Sequence, residues 1–254
     1  MDSHRRNYPR RALRRVLVEL ARHHTFSKVS LIALAFFASA CRGADSVELP
    51  TPPVINAPDI LPEAGQAHFN KRLTQISAEA PISSGTVLIG DSITEAWMRQ
   101  QEASSYPFTR PVANHGVSWD VTEGAVARLP LVEPSNPDKI FIKIGTNDIS
   151  WGVSLADMTE DFDALLGQLS KQEPQAQIYV QSVLPREADK LDKIARVNAM
   201  QAELAEKYGA TYIDLTSNFA ADDGTLRADL TDDGLHLNDA GYAVWGEALL
   251  PFSN

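Results

Sequence analysis

The chain has 254 residues, of which 44% are apolar and 22% are charged, with 14 Gly and 15 Pro. This ordinary globular composition excludes collagen-like, low-complexity and wholly disordered proteins. Residues 1–40 carry eight Lys and Arg against Asp2 and Glu19, whereas residues 41–254 carry 15 basic and 31 acidic residues. An acidic body lacks the basic face that phosphate-backbone binding requires, so a nucleic-acid partner is not expected.

The first forty residues predict a secretion signal. An apolar run at 29–40 follows an arginine-rich segment and is too short to span a bilayer comfortably as a helix. Cys41, the only cysteine, directly follows Ala38-Ser39-Ala40, and this segment resembles the lipobox of bacterial lipoproteins. The resemblance implies that Cys41 is lipidated and holds the protein at the cell envelope, with Arg42 favouring the outer membrane. The alternatives are an incidental cysteine in a secreted or periplasmic protein, or an uncleaved anchor.

The prolines mark where the leader gives way to the folded body. Residues 42–62 contain five prolines and little apolar periodicity, which predicts an extended spacer. The chain therefore divides into a signal peptide at 1–40, a lipidated cysteine with a tether at 41–62, and one folded domain at 63–254. A single cysteine excludes an intrachain disulfide and a Cys-rich metal site, and no metal or cofactor is expected.

The body alternates helical and extended patterns along its whole length. The expected helices cover 63–80, 93–100, 119–129, 155–171, 189–208 and 239–250, and the expected strands cover 86–90, 111–113, 139–145, 177–184 and 211–215. Ser154 and Asn238 are the expected N-caps of the fourth and sixth helices. Strands joined by helical crossovers predict an α/β, three-layer, flavodoxin-like fold, with a parallel sheet of about five strands covered on both faces.

Polar segments follow the strands of this predicted sheet. They are Gly90-Asp91-Ser92-Ile93 after the first strand, Asn114-His115-Gly116 after the second, Gly145-Thr146-Asn147-Asp148 after the third, and Asp232-Asp233-Gly234-Leu235-His236 after the last. Open parallel sheets bind ligands beyond the carboxyl ends of their strands. The four segments are therefore expected at one edge of the sheet.

These residue types suit acyl transfer. A serine hydroxyl needs a base to accept its proton, which makes Ser92 the candidate nucleophile and His236 the candidate base. Asp233, three residues before His236, can accept the Nδ1 proton and fix the tautomer of the ring. The amides of Ser92 and Gly116 and the carboxamide of Asn147 are the candidate donors to an oxyanion.

Each of these residues also has a simpler structural explanation. Ser92 with Glu95 fits a helix capping box, in which the serine serves only the helix amides. Asp233 fits an ordinary acidic surface loop, and Asn147 fits a turn. Trp97 and Trp119 are candidates for flanking an acyl pocket, although core packing is the more frequent use of such residues. Only the order of the four segments, each at a strand end, favours the catalytic interpretation.

The same four segments resemble the conserved blocks of the SGNH/GDSL hydrolase family, in the family's order and across nearly all of 64–254. The resemblance implies Ser92 as nucleophile, Gly116 and Asn147 as oxyanion donors, and Asp233 and His236 as the other members of the triad. Within the family, the chain looks like the branch of platelet-activating-factor acetylhydrolase subunits and carbohydrate acetylesterases. It departs from the pattern in the second block, where Gly116 is followed by Val-Ser-Trp and glycine returns only at Gly124.

The function expected from the sequence is extracytoplasmic hydrolysis of small acyl esters, in the first place acetyl esters of saccharides. A lysophospholipase- or thioesterase-like activity and an O-acyltransferase that uses the same acyl-enzyme are the alternatives. A non-catalytic envelope-binding module is a third class, which the full set of candidate catalytic residues argues against. Flavin or phosphate binding is not expected, because no G-x-G-x-x-G or P-loop sequence follows a strand.

Overall fold

The computed structural model describes residues 55–100, 106–109, 111–132 and 135–253, so the predicted signal peptide, Cys41 and most of the predicted tether lie outside the described residues. One sheet contains the strands β1 (Thr86–Gly90), β2 (Val112–Gly116), β3 (Lys139–Lys143), β4 (Gln177–Gln181) and β5 (Thr211–Ile213). Its strands are all parallel in the order β2-β1-β3-β4-β5. The predicted α/β fold with a five-stranded parallel sheet is confirmed.

Helices cover both faces of this sheet. In the described part of the chain they are α1 (Glu63–Ala78), α2 (Ser92–Ala96), α3 (Thr122–Ala127), α4 (Thr146–Ser150), α5 (Leu155–Gln172), α6 (Leu191–Lys207), α7 (Thr216–Phe219) and α8 (Asp239–Ser253). The predicted caps are confirmed, since Ser154 accepts from the Asp157 amide at 3.1 Å and Asn238 accepts from the Gly241 amide at 3.0 Å. None of the helices described here combines the length and the apolarity needed to cross a bilayer.

The alternation of side chains along each strand divides the core into two halves. Val87 and Ile89 of β1 pack on one face with α3, α5 and α6. Leu88 packs on the other face with Trp97 and α8. Successive side chains of a strand point to opposite faces, so a continuously apolar strand is what a sheet buried on both sides requires. The result is the predicted three-layer arrangement.

The folded body begins before the predicted boundary. Leu61 is only 3% exposed and packs with Phe69 and Leu73 of α1, and Ile55 and Ile60 are partly buried against the same cluster. The prediction that the tether extends to residue 62 is therefore wrong at its C-terminal end. The prolines of this segment suppress helix and strand but still leave apolar side chains that can be buried.

Several predicted elements are shorter than their sequence patterns, and in two of them a turn with a positive φ is the reason. β3 was expected to reach residue 145 but ends at Lys143, because Gly145 adopts φ 126° and opens the short helix α4. The helix expected from residue 119 starts at Thr122, because Trp119 has φ 73°. Both turns place polar residues at the carboxyl edge of the sheet.

Candidate active site

Ser92 lies at the turn from β1 into α2. Asp91 is the N-cap of this helix, and its side chain accepts from the Ile93 amide at 3.0 Å. The capping-box explanation of Ser92 is therefore wrong. As the first residue of the helix, Ser92 has a backbone amide with no intrahelical acceptor. The turn requires glycine at Gly90, where a Cβ atom would lie 2.1 Å from Thr94 Oγ1 and 2.5 Å from the Lys143 carbonyl oxygen.

The structure brings Ser92, His236 and Asp233 together. The Ser92 Oγ atom lies 3.0 Å from His236 Nε2, and His236 Nδ1 lies 2.7 Å from Asp233 Oδ2. Ser92 and His236 are separated by 144 positions in the sequence. The side chains of His236 and Asp233 are 47% and 54% exposed, so this part of the triad is open to solvent.

Asp233 is held as a carboxylate by the loop that carries it. Its Oδ1 atom accepts from the amides of Leu235 at 2.9 Å and His236 at 2.7 Å. Partial burial acts to raise the pKa of Asp233, but the hydrogen bonds from the His236 ring and from these two amides outweigh it and lower the pKa to about 2. Thr231 closes the loop, because its hydroxyl donates to the His236 carbonyl oxygen at 2.6 Å.

Asn147 lies in the first turn of α4, at the same edge of the sheet. Its Nδ2 atom donates to the Asp120 carbonyl oxygen at 2.9 Å, which fixes the orientation of the carboxamide. A carboxamide carries two N–H groups, so one remains for a ligand. The side chain is almost fully buried, and a donor held in such a place is preorganised for a developing negative charge.

The predicted role of Gly116 does not agree with its contacts. The Gly116 amide donates to Asn114 Oδ1 at 2.8 Å, so it is already engaged. The residue is glycine for a packing reason, since a Cβ atom there would lie 2.3 Å from the Glu95 nitrogen. As a correction, the structure assigns Gly116 to the close contact between β2 and α2 rather than to the oxyanion.

The backbone of Trp119 is a feature of the site that the sequence analysis did not predict. It has φ 73°, and no other non-glycine residue of the described segments has a positive φ. Ser118 donates its amide and its hydroxyl to Glu95 at 2.6 and 2.7 Å, and the Asp120 amide donates to the Val117 carbonyl oxygen at 3.1 Å. Between them, the Trp119 amide donates to no acceptor in the described part of the chain. The missing second glycine of the block was the available signal, because Trp119 adopts a conformation that glycine favours.

A buried ion pair supports the two strand ends that carry these loops. The Arg128 Nε atom donates to Asp120 Oδ2 at 2.8 Å, and its other nitrogens donate to the carbonyl oxygens of His115 at 2.6 Å and Gly90 at 3.0 Å. Burial raises the pKa of Asp120 to about 6, against the opposing effect of Arg128. Because Arg128 joins the carbonyl oxygens of residues at the ends of β1 and β2, it holds the turn at Ser92 and the loop at Trp119 in a fixed relation.

His115 and His68 are not members of the triad. It is almost completely buried, and burial together with the nearby charges of Arg128 and Arg72 lowers the pKa of its ring to about 3. His68 bonds to Glu95 at 2.9 Å, outside the triad. Among the described residues, no group of three or more His, Cys, Asp or Glu is arranged to hold a metal ion.

A polar cleft of about 650 Å³ lies between the end of α2 and the segments that flank the triad loop, and none of the three triad residues lines it. Ala96, one helical turn after Ser92, lines one side, and Asp232 and Leu237, which flank the triad loop, line the other. Arg99 and Asp239 add charge to its wall. A more apolar cleft of about 420 Å³ lies between α6 and β5, and none of its lining residues belongs to the triad loop.

Comparison with known proteins agrees with this geometry. Residues 88–244 match the GDSL-like Lipase/Acylhydrolase family. The chain is 31% identical over 170 residues to the platelet-activating factor acetylhydrolase IB subunit alpha1 of Pongo abelii, which covers 64% of this chain and 72% of the relative. It is 27% identical over 165 residues to the corresponding alpha2 subunit of Gallus gallus, covering 62% and 70%. A GDSL-like lipase from Bacteroides thetaiotaomicron has the same fold, with a TM-score of 0.61 and 20% identity over 72% of this chain and 95% of that one.

Proposed function

The chain belongs to the GDSL-like lipase/acylhydrolase family of ester-hydrolysing enzymes, and from this premise we propose that it cleaves short acyl esters, in the first place acetyl esters, with Ser92 as nucleophile. The observation that carries the proposal is the hydrogen-bonded series from Ser92 Oγ to His236 Nε2 at 3.0 Å and from His236 Nδ1 to Asp233 Oδ2 at 2.7 Å. A hydroxyl, an imidazole and a carboxylate in this order form the arrangement that activates a serine.

In the proposed mechanism, Ser92 Oγ attacks the ester carbonyl carbon while its proton moves to His236 Nε2. The carboxylate of Asp233 holds the Nδ1 proton and stabilises the imidazolium that forms. The oxyanion accepts hydrogen bonds from the Ser92 amide and from the remaining N–H of Asn147. We add as a third donor the Trp119 amide, which has no acceptor within the described segments. His236 then donates its proton to the leaving alcohol, and it later activates the water that releases the acid.

The proposal of a short acyl group is supported by the charged cleft between the end of α2 and the segments that flank the triad loop. Its walls include Arg99, Asp232 and Asp239, so a long hydrocarbon chain placed there would desolvate charged groups without gaining apolar contacts. The names of the relatives, which are acetylhydrolase subunits, point in the same direction. Lysophospholipase- or thioesterase-like action on long acyl chains is the competing specificity.

The test is a series of p-nitrophenyl esters from acetate to palmitate with the purified full chain. We expect kcat/KM to be highest for acetate and propionate and to fall with each lengthening of the chain; a maximum at ten carbons or more would overturn the short-acyl proposal. Ser92→Ala should abolish turnover and labelling by a fluorophosphonate. Ser170→Ala is the matched control, because its hydroxyl only donates to the Leu166 carbonyl oxygen within α5.

Transfer to a second alcohol is the alternative fate of the same acyl-enzyme. Adding a methyl glycoside acceptor to the acetate reaction and analysing the products separates the two. Release of acetate with little acetylated glycoside supports hydrolysis, whereas acetylated glycoside as the main product at millimolar acceptor would make the protein an O-acyltransferase.

We also propose that the enzyme works at the cell envelope, attached through a lipidated Cys41. The proposal is supported by the basic segment, the apolar run at 29–40 and the single cysteine that follows it. A protein that carries several acyl chains partitions firmly into membrane, whereas one chain alone binds marginally. Intact-mass analysis of membrane-extracted protein should show a chain that begins at Cys41 and carries diacylglycerol, and Cys41→Ser should appear in the soluble fraction.

A further inference from the structure

Two large aromatic side chains are exposed at the carboxyl edge of the sheet. Trp119 is 42% exposed and Trp151 is 37% exposed, whereas Trp97 and Trp245 are almost fully buried. The rings of the exposed pair are stacked, with 6.2 Å between their centroids and 17° between their planes. Two tryptophans exposed next to each other form an apolar patch, and such patches are typical of binding sites.

The two rings are held in place by the backbone on which they lie. Trp119 has φ 73°, and a bulky side chain in this conformation is strained where glycine would not be. Its Cβ atom lies against Gly65 of α1, because a Cβ atom added to Gly65 would be 3.3 Å from it. Such strain persists only where the surroundings determine the conformation, and it concentrates at functional sites.

Trp151 is fixed from the other side of the patch. It directly follows α4, and its amide donates to the Asn147 carbonyl oxygen at 2.8 Å. The Arg186 guanidinium, from the segment after β4, donates to Ser150 Oγ at 2.6 Å and to the Thr146 carbonyl oxygen at 3.4 Å, and so holds both ends of α4. The pair is therefore preorganised rather than assembled on binding.

Asn147 connects both tryptophans to the candidate oxyanion site. It accepts from the Trp151 amide, and its side chain donates to the carbonyl oxygen of Asp120, the residue after Trp119. The aromatic pair therefore borders the position where an ester carbonyl would be bound. A group attached to that ester on the side of Asn147 is therefore the part of a substrate that we expect to reach the rings.

The arrangement of the two tryptophan rings indicates which kind of substrate group they can bind. The two rings are stacked and nearly parallel, so the pair offers flat outer ring faces, whereas a quaternary ammonium is bound best when rings surround it from several sides. The face of a sugar ring is flat and carries C–H groups with partial positive charge, which suits the negative face of an aromatic ring. The acidic body, with 31 acidic against 15 basic residues in 41–254, favours an uncharged sugar over an anionic one.

We propose that Trp119 and Trp151 form an aromatic platform that binds the uncharged sugar ring of an acylated saccharide, next to the ester that Ser92 cleaves. The assignment rests on the proposed ester hydrolysis and names its substrate class. The platform contributes binding and orientation, and the chemical step remains with the triad.

The experiment compares two acetate esters, glucose pentaacetate and triacetin, of which only the first contains a sugar ring. The quantity measured is the ratio of their kcat/KM values. In Trp151→Ala we expect this ratio to fall about tenfold, as for the loss of one aromatic contact. Trp119→Phe should keep most of the ratio because it keeps a flat face, and Trp119→Gly should lose it while relieving the backbone strain. Leu250→Ala, which removes an equally exposed apolar side chain from α8, should leave the ratio unchanged.

The outcomes separate this inference from the proposed function. Turnover of both esters with the same ratio in Trp151→Ala and in the unchanged protein, at equal melting temperatures, would overturn the platform and leave ester hydrolysis standing. No turnover of either ester by the unchanged protein would overturn the proposed function instead. In that case, tryptophan fluorescence of the full chain still tests the platform. Quenching by methyl glucoside acetate that is lost in Trp151→Ala supports it, and quenching by phosphocholine alone contradicts it.

Discussion

Replacing Asp148 by asparagine should remove a pH dependence of the free energy of unfolding. Asp148 directly follows Asn147 in α4 and is buried. Asp148 is 1% exposed and accepts from the Thr122 amide at 3.1 Å. Burial raises the pKa of this carboxyl to about 7, with a smaller contribution from Asp120, although the hydrogen bonds from Thr122 oppose the shift. The ordinary value, 3.8, applies to the unfolded chain.

The direction follows from proton counting. Between pH 4 and pH 7 the folded protein keeps the Asp148 proton that the unfolded chain has lost, so the free energy of unfolding falls as the pH rises through this window. With a folded pKa of about 7 and an unfolded value of 3.8, this one group lowers the free energy of unfolding by about 2.5 kcal/mol between pH 5 and pH 8. Above about pH 8 both states have lost the proton, and the effect levels off.

Urea unfolding followed by tryptophan fluorescence at pH 5, 6, 7 and 8 measures the effect. Other groups also titrate, so the quantity to plot is the stability of Asp148→Asn minus that of the unchanged protein, which should rise by about 2.5 kcal/mol from pH 5 to pH 8. Asp222→Asn is the control, because an exposed carboxylate is hydrated in both states. A difference for Asp148→Asn that stays constant within about 0.5 kcal/mol would refute the reasoning from burial.

Three further substitutions test the site. Asn147→Ala should lower kcat by about 100- to 1000-fold with little change in KM, since its donor acts on the transition state; a loss below about fivefold would remove it from the oxyanion site. Asp233→Asn should lower kcat/KM by about 10- to 100-fold, which is the value of one charge-assisted hydrogen bond. The loss is no larger because the carboxylate is half-exposed and solvent replaces part of its charge. Unchanged steady-state kinetics would contradict its role. Gly116→Ala should cost about 2 kcal/mol of unfolding free energy, because its Cβ atom would meet the Glu95 backbone. In Gly167→Ala the added Cβ atom would meet only the end of the Tyr208 side chain, with the hydroxyl at 3.0 Å and Cζ at 3.3 Å, so melting curves should show a smaller loss. Equal losses would argue against the packing explanation.

Local patterns in the sequence were enough for most of the fold. Strand β1 was predicted with its observed ends, and the helix expected from residue 63 begins there and buries Phe69, Leu73 and Ile76 along one side. These features depend on the 2.0 and 3.6 periods of strands and helices, which can be counted within a few residues. Helix α4 was missed because five residues are too few to show a period.

The residue types at the strand ends, and the parallel order of the strands, also allowed Ser92, Asn147, Asp233 and His236 to be expected at one edge. Local sequence could not decide between the two uses of Ser92, because a cap and a nucleophile both stand at the start of a helix. In the structure Asp91 occupies the cap, and the ring of His236, 144 positions away, lies 3.0 Å from the Ser92 hydroxyl.

Only the tertiary structure decided which backbone amides are free. Gly116 was predicted as a donor, yet its amide is paired with Asn114, whereas the Trp119 amide has no acceptor among the residues that the structure describes. The same is true of the platform, since Trp119 and Trp151 become neighbours only when the segments after β2 and β3 meet. The direction of a backbone N–H group depends on the φ and ψ angles of its loop, and its pairing depends on acceptors from distant segments. Neither can be deduced from the local sequence.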